Sequence, residues 1–372
     1  MPRIANGGAT RVDDRIDGMP IAQASDDLPR PPTGPRHWPT WLGLGLMWIA
    51  ARLPWSLQRG LGAAIGAVAL RLAGERRRAA RINLALCFPE LDDPTRDVLL
   101  RRSFHDFGIG LFEFARAWWG SATPMRATAR IEGIEPIKAL LAEGRGVLLV
   151  SGHFMTLEMC GRLMCDHLPL AGMYRRHRSP VMEWAVMRGR LRYATAMFGN
   201  DELRGAMRHL KRGGILWYAP DQDMRGKDTV FAPFFGVPAA TITATHQFAR
   251  LSGCAVVPFF HRREGADYVL RLGEPLADFP SADVGADSAR VNTAIEAMVR
   301  EAPSQYLWIH RRFKRRPAML ALVVTVFPFN THLAFYSTFW GGFTLLLAAL
   351  YAGSLLAGRV SDTAMTSPPA DA

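Results

Sequence analysis

A histidine follows a short aliphatic run at Ser151-Gly152-His153, and a carboxylate, Glu158, lies five residues further on. Val147 to Val150 are apolar and half of them are β-branched, which predicts a buried strand. Apolar residues from Leu157 recur at helical spacing. A histidine between strand and helix suits a general base held by a carboxylate. Residues five apart on a helix lie roughly 140° apart, so His153 meets Glu158 only if it precedes the helix and points back over its first turn.

Simpler interpretations of the same residues stand beside this one. Glu158 and Arg162 have the i,i+4 spacing of an ordinary surface ion pair on a helix. A single histidine in a turn is often only a hydrogen-bonded loop residue. The choice between these interpretations depends on the rest of the chain.

The composition favours contact with a polyanion or a membrane surface. The 372 residues include 45 Lys and Arg against 33 Asp and Glu, a formal net charge of +12, and 49% are hydrophobic. A chain of this length can bury a large core in one or two domains, and its charge attracts anionic headgroups. Because zinc-finger spacing and RNA-binding aromatic motifs are missing from the sequence, nucleic acid is not expected as a partner.

Cysteine usage predicts neither a zinc site nor a disulfide framework. The four cysteines lie in apolar stretches and form no C-x-x-C pair: Cys87, Cys160, Cys165 and Cys254. Reduced thiols facing the cytoplasm are the simplest interpretation.

The N-terminal region predicts a membrane anchor. Residues 1–37 lack periodicity, which is typical of a disordered leader. Residues 38–51 form an uncharged run with tryptophans at its edges, short for a span of about 20 residues, and a second apolar stretch covers residues 61–72. The basic residues that follow, Arg76 to Arg78, then place the main domain in the cytoplasm by the positive-inside rule.

A repeated pattern of helix, glycine and short apolar strand predicts an α/β fold, a mostly parallel central sheet flanked by helices. Four strands are expected, and each is followed by polar residues: Val147–Val150, Ile215–Tyr218, Ala255–Phe260 and Tyr306–Ile309. If the strands are parallel, their polar tails share the edge where open α/β sheets bind ligands. That edge would carry His153, Glu158, Asp221, Asp223, His261, His310 and several arginines. The alternative for each tail is a solvated loop.

A basic, amphipathic segment separates the first two of these strands. Its ten cationic residues are opposed only by Glu183, Asp201 and Glu202 in the sequence. They are Arg175, Arg176, Arg178, Arg188, Arg190, Arg192, Arg204, Arg208, Lys211 and Arg212. Such a surface suits anionic headgroups or phosphorylated sugars, and the alternative is a solvated helix face.

Six pieces of the chain, in family order, resemble the bacterial late acyltransferases of lipid A biosynthesis. These are the lauroyl/myristoyl transferases of the lysophospholipid acyltransferase superfamily. The pieces are Arg81–Glu90, Ser151–Glu158, Met173–His177, Trp217–Asp223, Phe231–Gly236 and Tyr306–Lys314. The H-x4-E motif alone is a weak signal, whereas six pieces between residues 81 and 317 are specific.

The resemblance implies an inner-membrane enzyme whose catalytic domain faces the cytoplasm, in contact with membrane phospholipid. It would take a fatty acyl chain from acyl carrier protein and pass it to a hydroxyl of a hydroxyacyl chain on a Kdo-bearing lipid A precursor. By position, His153 is the implied base and Glu158 its partner. The expected substrate-binding residues are Arg175, Asp221, Asp223, His310, Arg311 and Arg312. The scheme requires no metal and no cofactor.

The expected organisation has five parts. They are a leader (1–37), a membrane-anchoring segment (38–72), a catalytic domain (73–317), a hydrophobic segment that forms a span or hairpin (318–358) and a disordered tail (359–372). The segment 318–358 extends beyond the family pattern.

One rival function comes from another enzyme class. Asp221-Gln222-Asp223 has the D-x-D spacing that can hold a divalent ion against a sugar nucleotide, which indicates a membrane-bound, metal-dependent glycosyltransferase. Its activity would require a metal. A membrane scaffold without enzymatic activity would have no use for His153 at the end of a strand.

Overall fold

The computed structural model describes residues 28–121, 128–223 and 228–315, together with two short strands, β1 (Arg15–Ile16) and β2 (Met19–Pro20). Most of the expected leader lies outside the described residues. The hydrophobic segment 318–358 and the tail 359–372 lie entirely outside them.

Among the described residues, four helices precede the central sheet. They are α1 (Trp38–Ala50), α2 (Trp55–Leu72), α3 (Gly74–Cys87) and α4 (Asp93–Trp119). Helix α2 packs closely on α4, because Gly62 and Gly66 face Gly108 where a Cβ would overlap the backbone of the other helix. Among the described residues, no helix combines the length and the apolar character needed to cross a bilayer.

Seven strands form the central sheet. In chain order they are β3 (Ala129–Glu132), β4 (Val147–Val150), β5 (Leu170–Tyr174), β6 (Met197–Gly199), β7 (Ile215–Tyr218), β10 (Ala255–Glu264) and β11 (Asp267–Leu272). Across the sheet the order is β3-β11-β10-β4-β7-β5-β6, and only the β10–β11 pair is antiparallel. The predicted α/β fold with a mostly parallel central sheet is therefore confirmed.

The remaining elements flank the sheet or connect its strands. Six further helices are α5 (Glu135–Ala142), α6 (Leu157–Met164), α7 (Pro180–Arg190), α8 (Leu203–Lys211), α9 (Ala244–Ser252) and α10 (Val284–Glu301). A separate antiparallel hairpin consists of β8 (Thr229–Phe234) and β9 (Val237–Ile242). Both faces of the sheet are covered. Leu148 and Val150 of β4 pack with one core cluster, and Val147 and Leu149 pack with another.

The predicted fourth strand is wrong. Residues 306–309 do not join the central sheet, and Tyr306 makes only an isolated antiparallel bridge with Phe154. These residues are apolar because Tyr306 and Trp308 belong to a buried aromatic cluster, a pattern that sequence alone does not distinguish from a strand. Strand β10 is longer than predicted and includes His261, which was expected in a polar tail.

Candidate active site

The register of two neighbouring strands brings His153 and Asp221 together. Strands β4 and β7 are parallel neighbours, with Val150 paired to Tyr218. His153 and Asp221 each follow that pair by three residues. The carboxyl ends of parallel strands share one edge of a sheet, so equal offsets place these two side chains side by side.

His153 and Asp221 form a tightly bonded pair. Nδ1 of His153 lies 2.5 Å from Oδ1 of Asp221, and the backbone N–H of His153 donates to Oδ2 at 2.8 Å. The Tyr306 hydroxyl donates to the same Oδ2 at 2.8 Å. Because a carboxylate only accepts, it fixes the imidazole tautomer with the proton on Nδ1. Nε2 is then the ring nitrogen whose lone pair can take a proton.

The carboxylate of this pair is held in its charged form. Burial raises the pKa of Asp221, but the facing His153 and the hydrogen bonds from His153 and Tyr306 outweigh burial, so the pKa lies well below its usual value. The Asp221 side chain is 1% exposed, whereas that of His153 is 30% exposed. The arrangement is therefore a buried anion with an accessible imidazole in front of it.

Glu158 does not contact His153, which corrects the predicted pairing. Its Oε2 accepts from the Trp118 indole at 2.9 Å and from the Tyr193 hydroxyl at 3.1 Å, and Oε1 accepts from Nε of Arg190 at 2.8 Å. Glu158 lies in the first turn of α6 and faces α4 and α7, away from the turn that carries His153. The simpler alternative, a Glu158–Arg162 surface pair, also fails because Glu158 is buried.

His153 opens onto a large cavity of about 1140 Å³. The cavity lies between α4 and the carboxyl ends of β4, β5 and β7, and α8 and α9 complete its wall. Its lining is mainly apolar, with Phe107, Leu111 and Phe114 of α4 on one side and Met207 and Phe248 on another. The volume exceeds the range of about 300–1,000 Å³ usual for one small ligand. A site with these dimensions can hold long apolar chains beside the His153 imidazole.

Cationic residues border part of this cavity. Arg175 follows β5, is exposed and lines the cavity together with Arg204, Arg208 and Lys211 of α8. The predicted basic segment is not uniform, however. Arg176 forms ion pairs with Asp201, Glu202 and Glu183, and the partly buried Arg190 pairs with Glu158.

The other predicted binding residues are spread over several environments. His310 lines a small cavity beside the His153–Asp221 dyad, and burial lowers its pKa. Asp223 accepts from Nε of Arg315 at 2.6 Å. Arg311 is exposed and pairs with Glu75 at 3.1 Å.

Arg312 departs from its predicted role as a binding residue. It is buried and donates to the carbonyl of Ala240 and to the Thr241 hydroxyl. In that position it links the β8–β9 hairpin to the residues around Arg312 that follow α10.

The D-x-D interpretation lacks a structural basis. The two carboxylates of Asp221 and Asp223 have different partners, His153 and Arg315. Within residues 28–121, 128–223 and 228–315, no group of three or more His, Cys, Asp or Glu side chains is arranged to hold a metal ion.

Comparison with known proteins decides the enzyme class. A sequence model of the family described as "Bacterial lipid A biosynthesis acyltransferase" matches residues 33–315. The chain belongs to this family. The resemblance noted in the sequence and the assignment as an acyltransferase of the lauroyl/myristoyl type are confirmed, and the glycosyltransferase alternative is wrong.

Named relatives span several acyl specificities. The chain is 38% identical to a lipid A biosynthesis lauroyltransferase and 40% identical to a lipid A biosynthesis palmitoleoyltransferase, both from Escherichia coli K12. These alignments cover 76% of this chain and 94% and 93% of the relatives. A myristoyltransferase from the same organism is 26% identical, over 76% of this chain and 88% of its own.

Proposed function

We propose that the protein transfers a fatty acyl chain from acyl carrier protein to a hydroxyl of a hydroxyacyl chain on a Kdo-bearing lipid A precursor. The observation that carries the proposal is the His153–Asp221 pair, whose imidazole opens onto a large apolar cavity with a cationic border. Family membership supports acyl transfer in lipid A biosynthesis. The apolar lining fits two acyl chains, and Arg175 at the sheet edge fits an acidic, phosphorylated acceptor.

The dyad supplies the acid–base chemistry of such a transfer. Nε2 of His153 takes the proton of the acceptor hydroxyl while the hydroxyl oxygen attacks the thioester carbonyl carbon. The tetrahedral intermediate then collapses, the carbon–sulfur bond breaks, and the imidazolium returns the proton to the leaving sulfur. Asp221 holds the ring in the required tautomer and stabilises the imidazolium. The acceptor hydroxyl is itself the nucleophile, so the scheme needs no serine nucleophile.

Helix α8 is the candidate docking surface for an acidic donor protein. Arg204, Arg208 and Lys211 are spaced i, i+4 and i+7 and are exposed, and none has a hydrogen bond or ion pair with another described residue. The exposed Leu203 also borders the cavity. Unpaired cations beside a cavity mouth speed the approach of an anionic partner and set its orientation. Acyl carrier protein is acidic and would present its thioester there.

The N-terminal helices support a location at the cytoplasmic face of the membrane. Helix α1 exposes Trp38, Leu42, Leu46 and Ile49, which are spaced along one face, and α2 exposes a matching stripe from Leu57 to Leu72. The opposite side of α2 packs on α4, which lines the cavity. Stripes of this kind bind at the boundary of headgroups and acyl chains. Lipid substrate would then enter from the α4 side and the carrier protein from the α8 side.

A reconstituted assay tests this function. Purified full-length enzyme in detergent micelles, given a fatty acyl–acyl carrier protein as donor, should convert a Kdo-bearing lipid A precursor to its acylated product. Mass spectrometry of the lipid measures this conversion. EDTA should leave the rate unchanged because the dyad needs no metal. The product mass identifies the added chain. Absence of turnover with a series of acyl–acyl carrier proteins, in a preparation that remains folded, would reject the proposed donor or acceptor.

A further inference from the structure

We propose that His261 is a positioning residue that clasps both ends of the catalytic turn, residues 151–156, and so fixes His153 against Asp221. His261 lies in β10, the strand next to β4 on the side away from β7. It does not line the cavity.

The clasp consists of two side-chain hydrogen bonds. Nε2 of His261 lies 3.2 Å from the Ser151 hydroxyl, and Nδ1 lies 2.9 Å from the Thr156 hydroxyl. Ser151 is the first residue after β4, and Thr156 is the N-cap of α6. One ring therefore joins the beginning and the end of the turn that carries His153. All three side chains are buried.

The hydrogen-bond partners of a neutral His261 ring define one tautomer. The Ser151 hydroxyl donates to the carbonyl of Gly152 at 3.2 Å, so it accepts from Nε2–H of His261. Nδ1 then carries the lone pair and accepts from the Thr156 hydroxyl. Phe154, Trp217 and Phe259 surround the imidazole with ring centroids 5.3–5.5 Å away, and burial lowers the pKa of His261 to about 3.

The other side of the turn is held independently. The backbone N–H of Met155 donates to the carbonyl of Gln305 at 2.8 Å, and the N–H of Leu307 donates to the carbonyl of His153 at 2.9 Å. The segment 305–307 thus holds the middle of the turn from outside, and His261 holds its two ends from inside. Loss of the inner clasp lets the turn pivot about the outer contacts. A displacement of about 1 Å at a catalytic group can cost 10²-fold in rate.

Two substitutions of His261 separate positioning from general packing. His261→Phe keeps an aromatic ring in the aromatic cage but removes both hydrogen bonds. His261→Gln supplies an amide with one donor and one acceptor attached to the same carbon atom. We expect kcat to fall about 10–100-fold for His261→Phe, as for other residues that orient a catalytic ligand, with KM for both substrates within twofold of wild type. His261→Gln should recover a large part of kcat.

A matched control and a double variant complete the kinetic test. His246→Phe removes another buried histidine, which bonds Asp287 and does not itself line the cavity, and should lower the melting temperature without changing kcat. Adding Thr156→Val to His261→Phe should change kcat by no more than twofold, because both substitutions break the same bond. If His261→Phe does not fold, Thr156→Val alone should lower kcat severalfold.

A labelling experiment tests the clasp without relying on the proposed donor and acceptor, on which the kinetic test rests. Diethyl pyrocarbonate modifies accessible imidazoles, and peptide mass spectrometry measures the rate at His153. We expect this rate to rise severalfold in His261→Phe and to stay at the wild-type value in His246→Phe. Unchanged kcat and unchanged labelling in His261→Phe, or equal kcat losses in His261→Phe and His246→Phe, would overturn the proposal. An inactive wild-type enzyme would count against the proposed function, while the labelling rates still decide the clasp.

Discussion

Two hydrogen-bonded histidine–aspartate pairs occur among the described residues, and their surroundings differ. Nδ1 of His246 lies 2.8 Å from Oδ2 of Asp287, much as His153 bonds Asp221 at 2.5 Å. The His246 side chain is only 7% exposed, against 30% for His153. Asp287 also accepts from the backbone N–H of Ser281 at 2.8 Å. The His246–Asp287 pair joins α9 and the loop at Ser281 to α10, whereas the His153–Asp221 pair presents an imidazole to the cavity. Both pairs have a similar hydrogen bond. What makes such a pair useful for catalysis is that its imidazole reaches a space large enough for a substrate.

The largest predicted difference between the two pairs concerns the imidazole. His153→Ala should lower kcat by about 10²–10⁴-fold, the usual contribution of a general base, while the protein stays folded because Asp221 keeps its hydrogen bonds from Tyr306 and from the backbone. His246→Ala should do the reverse, losing stability but keeping kcat once the folded fraction is corrected. Acyl transfer assays and thermal unfolding of both variants measure this. Near-native turnover of folded His153→Ala would refute the base assignment.

The second prediction concerns which carboxylate, Asp221 or Glu158, orients the His153 imidazole. Asp221→Asn should lower kcat by about 10²-fold or more, because an amide no longer enforces the Nδ1–H tautomer. Glu158→Gln should act mainly on stability, costing about 3 kcal/mol, because Arg190 loses the carboxylate that balances its buried charge. Kinetics and chemical denaturation of the two variants distinguish these effects. If Glu158→Gln loses kcat as severely as Asp221→Asn without losing stability, the carboxylate assignments must be exchanged.

The fate of Glu158 shows how far the sequence could predict the site. The strands β4 and β7 and the turn with His153 followed from apolar runs that end in polar residues, because those runs are buried on both faces. Asp221 was not predicted as the partner of His153, because the H-x4-E motif pairs the histidine with Glu158, which is close in the chain. The true neighbour in space depends on strand order and register. The equal offset of His153 and Asp221 from their strand ends was visible in the sequence but meaningful only once β4 and β7 were known to be adjacent.

Residues 306–309 illustrate a second limit. Their apolar run predicted a strand, whereas Tyr306 instead supplies a hydrogen bond to Asp221 and Trp308 fills an aromatic cluster. Long-range packing of this kind has no local periodicity. Arg312 was misassigned for the same reason, since a buried arginine and a ligand-binding arginine look alike in the sequence.

A third prediction extends the comparison to His261, a buried histidine without a carboxylate partner. Its pKa is lowered to about 3 by burial, while the unfolded value is about 6.5. The unfolded state therefore binds a proton first, so stability is fully present above pH 6.5 and falls as the pH drops from 6.5 towards 3. At pH 5 the loss is about 2 kcal/mol. Urea unfolding between pH 7 and pH 5 should show a shallower decline for His261→Phe than for wild type, and parallel declines would contradict the prediction.

The smallest predicted effects lie at the border of the cavity, beyond the dyad. Arg175 follows β5 at the sheet edge that carries His153, whereas Arg204 lies on α8 and faces solvent. Replacing Arg204 with Ala should raise KM for the acyl donor by no more than about fivefold, because an exposed charge contributes roughly 0.2–1 kcal/mol, and added salt should erase the difference. Arg175→Ala should impair kcat/KM more strongly and retain its defect at high salt, because Arg175 directly follows β5 at the carboxyl edge of the sheet. Equal, mild and salt-sensitive losses would mean that both arginines provide only general attraction, and that the cationic border plays no part in aligning substrate with His153.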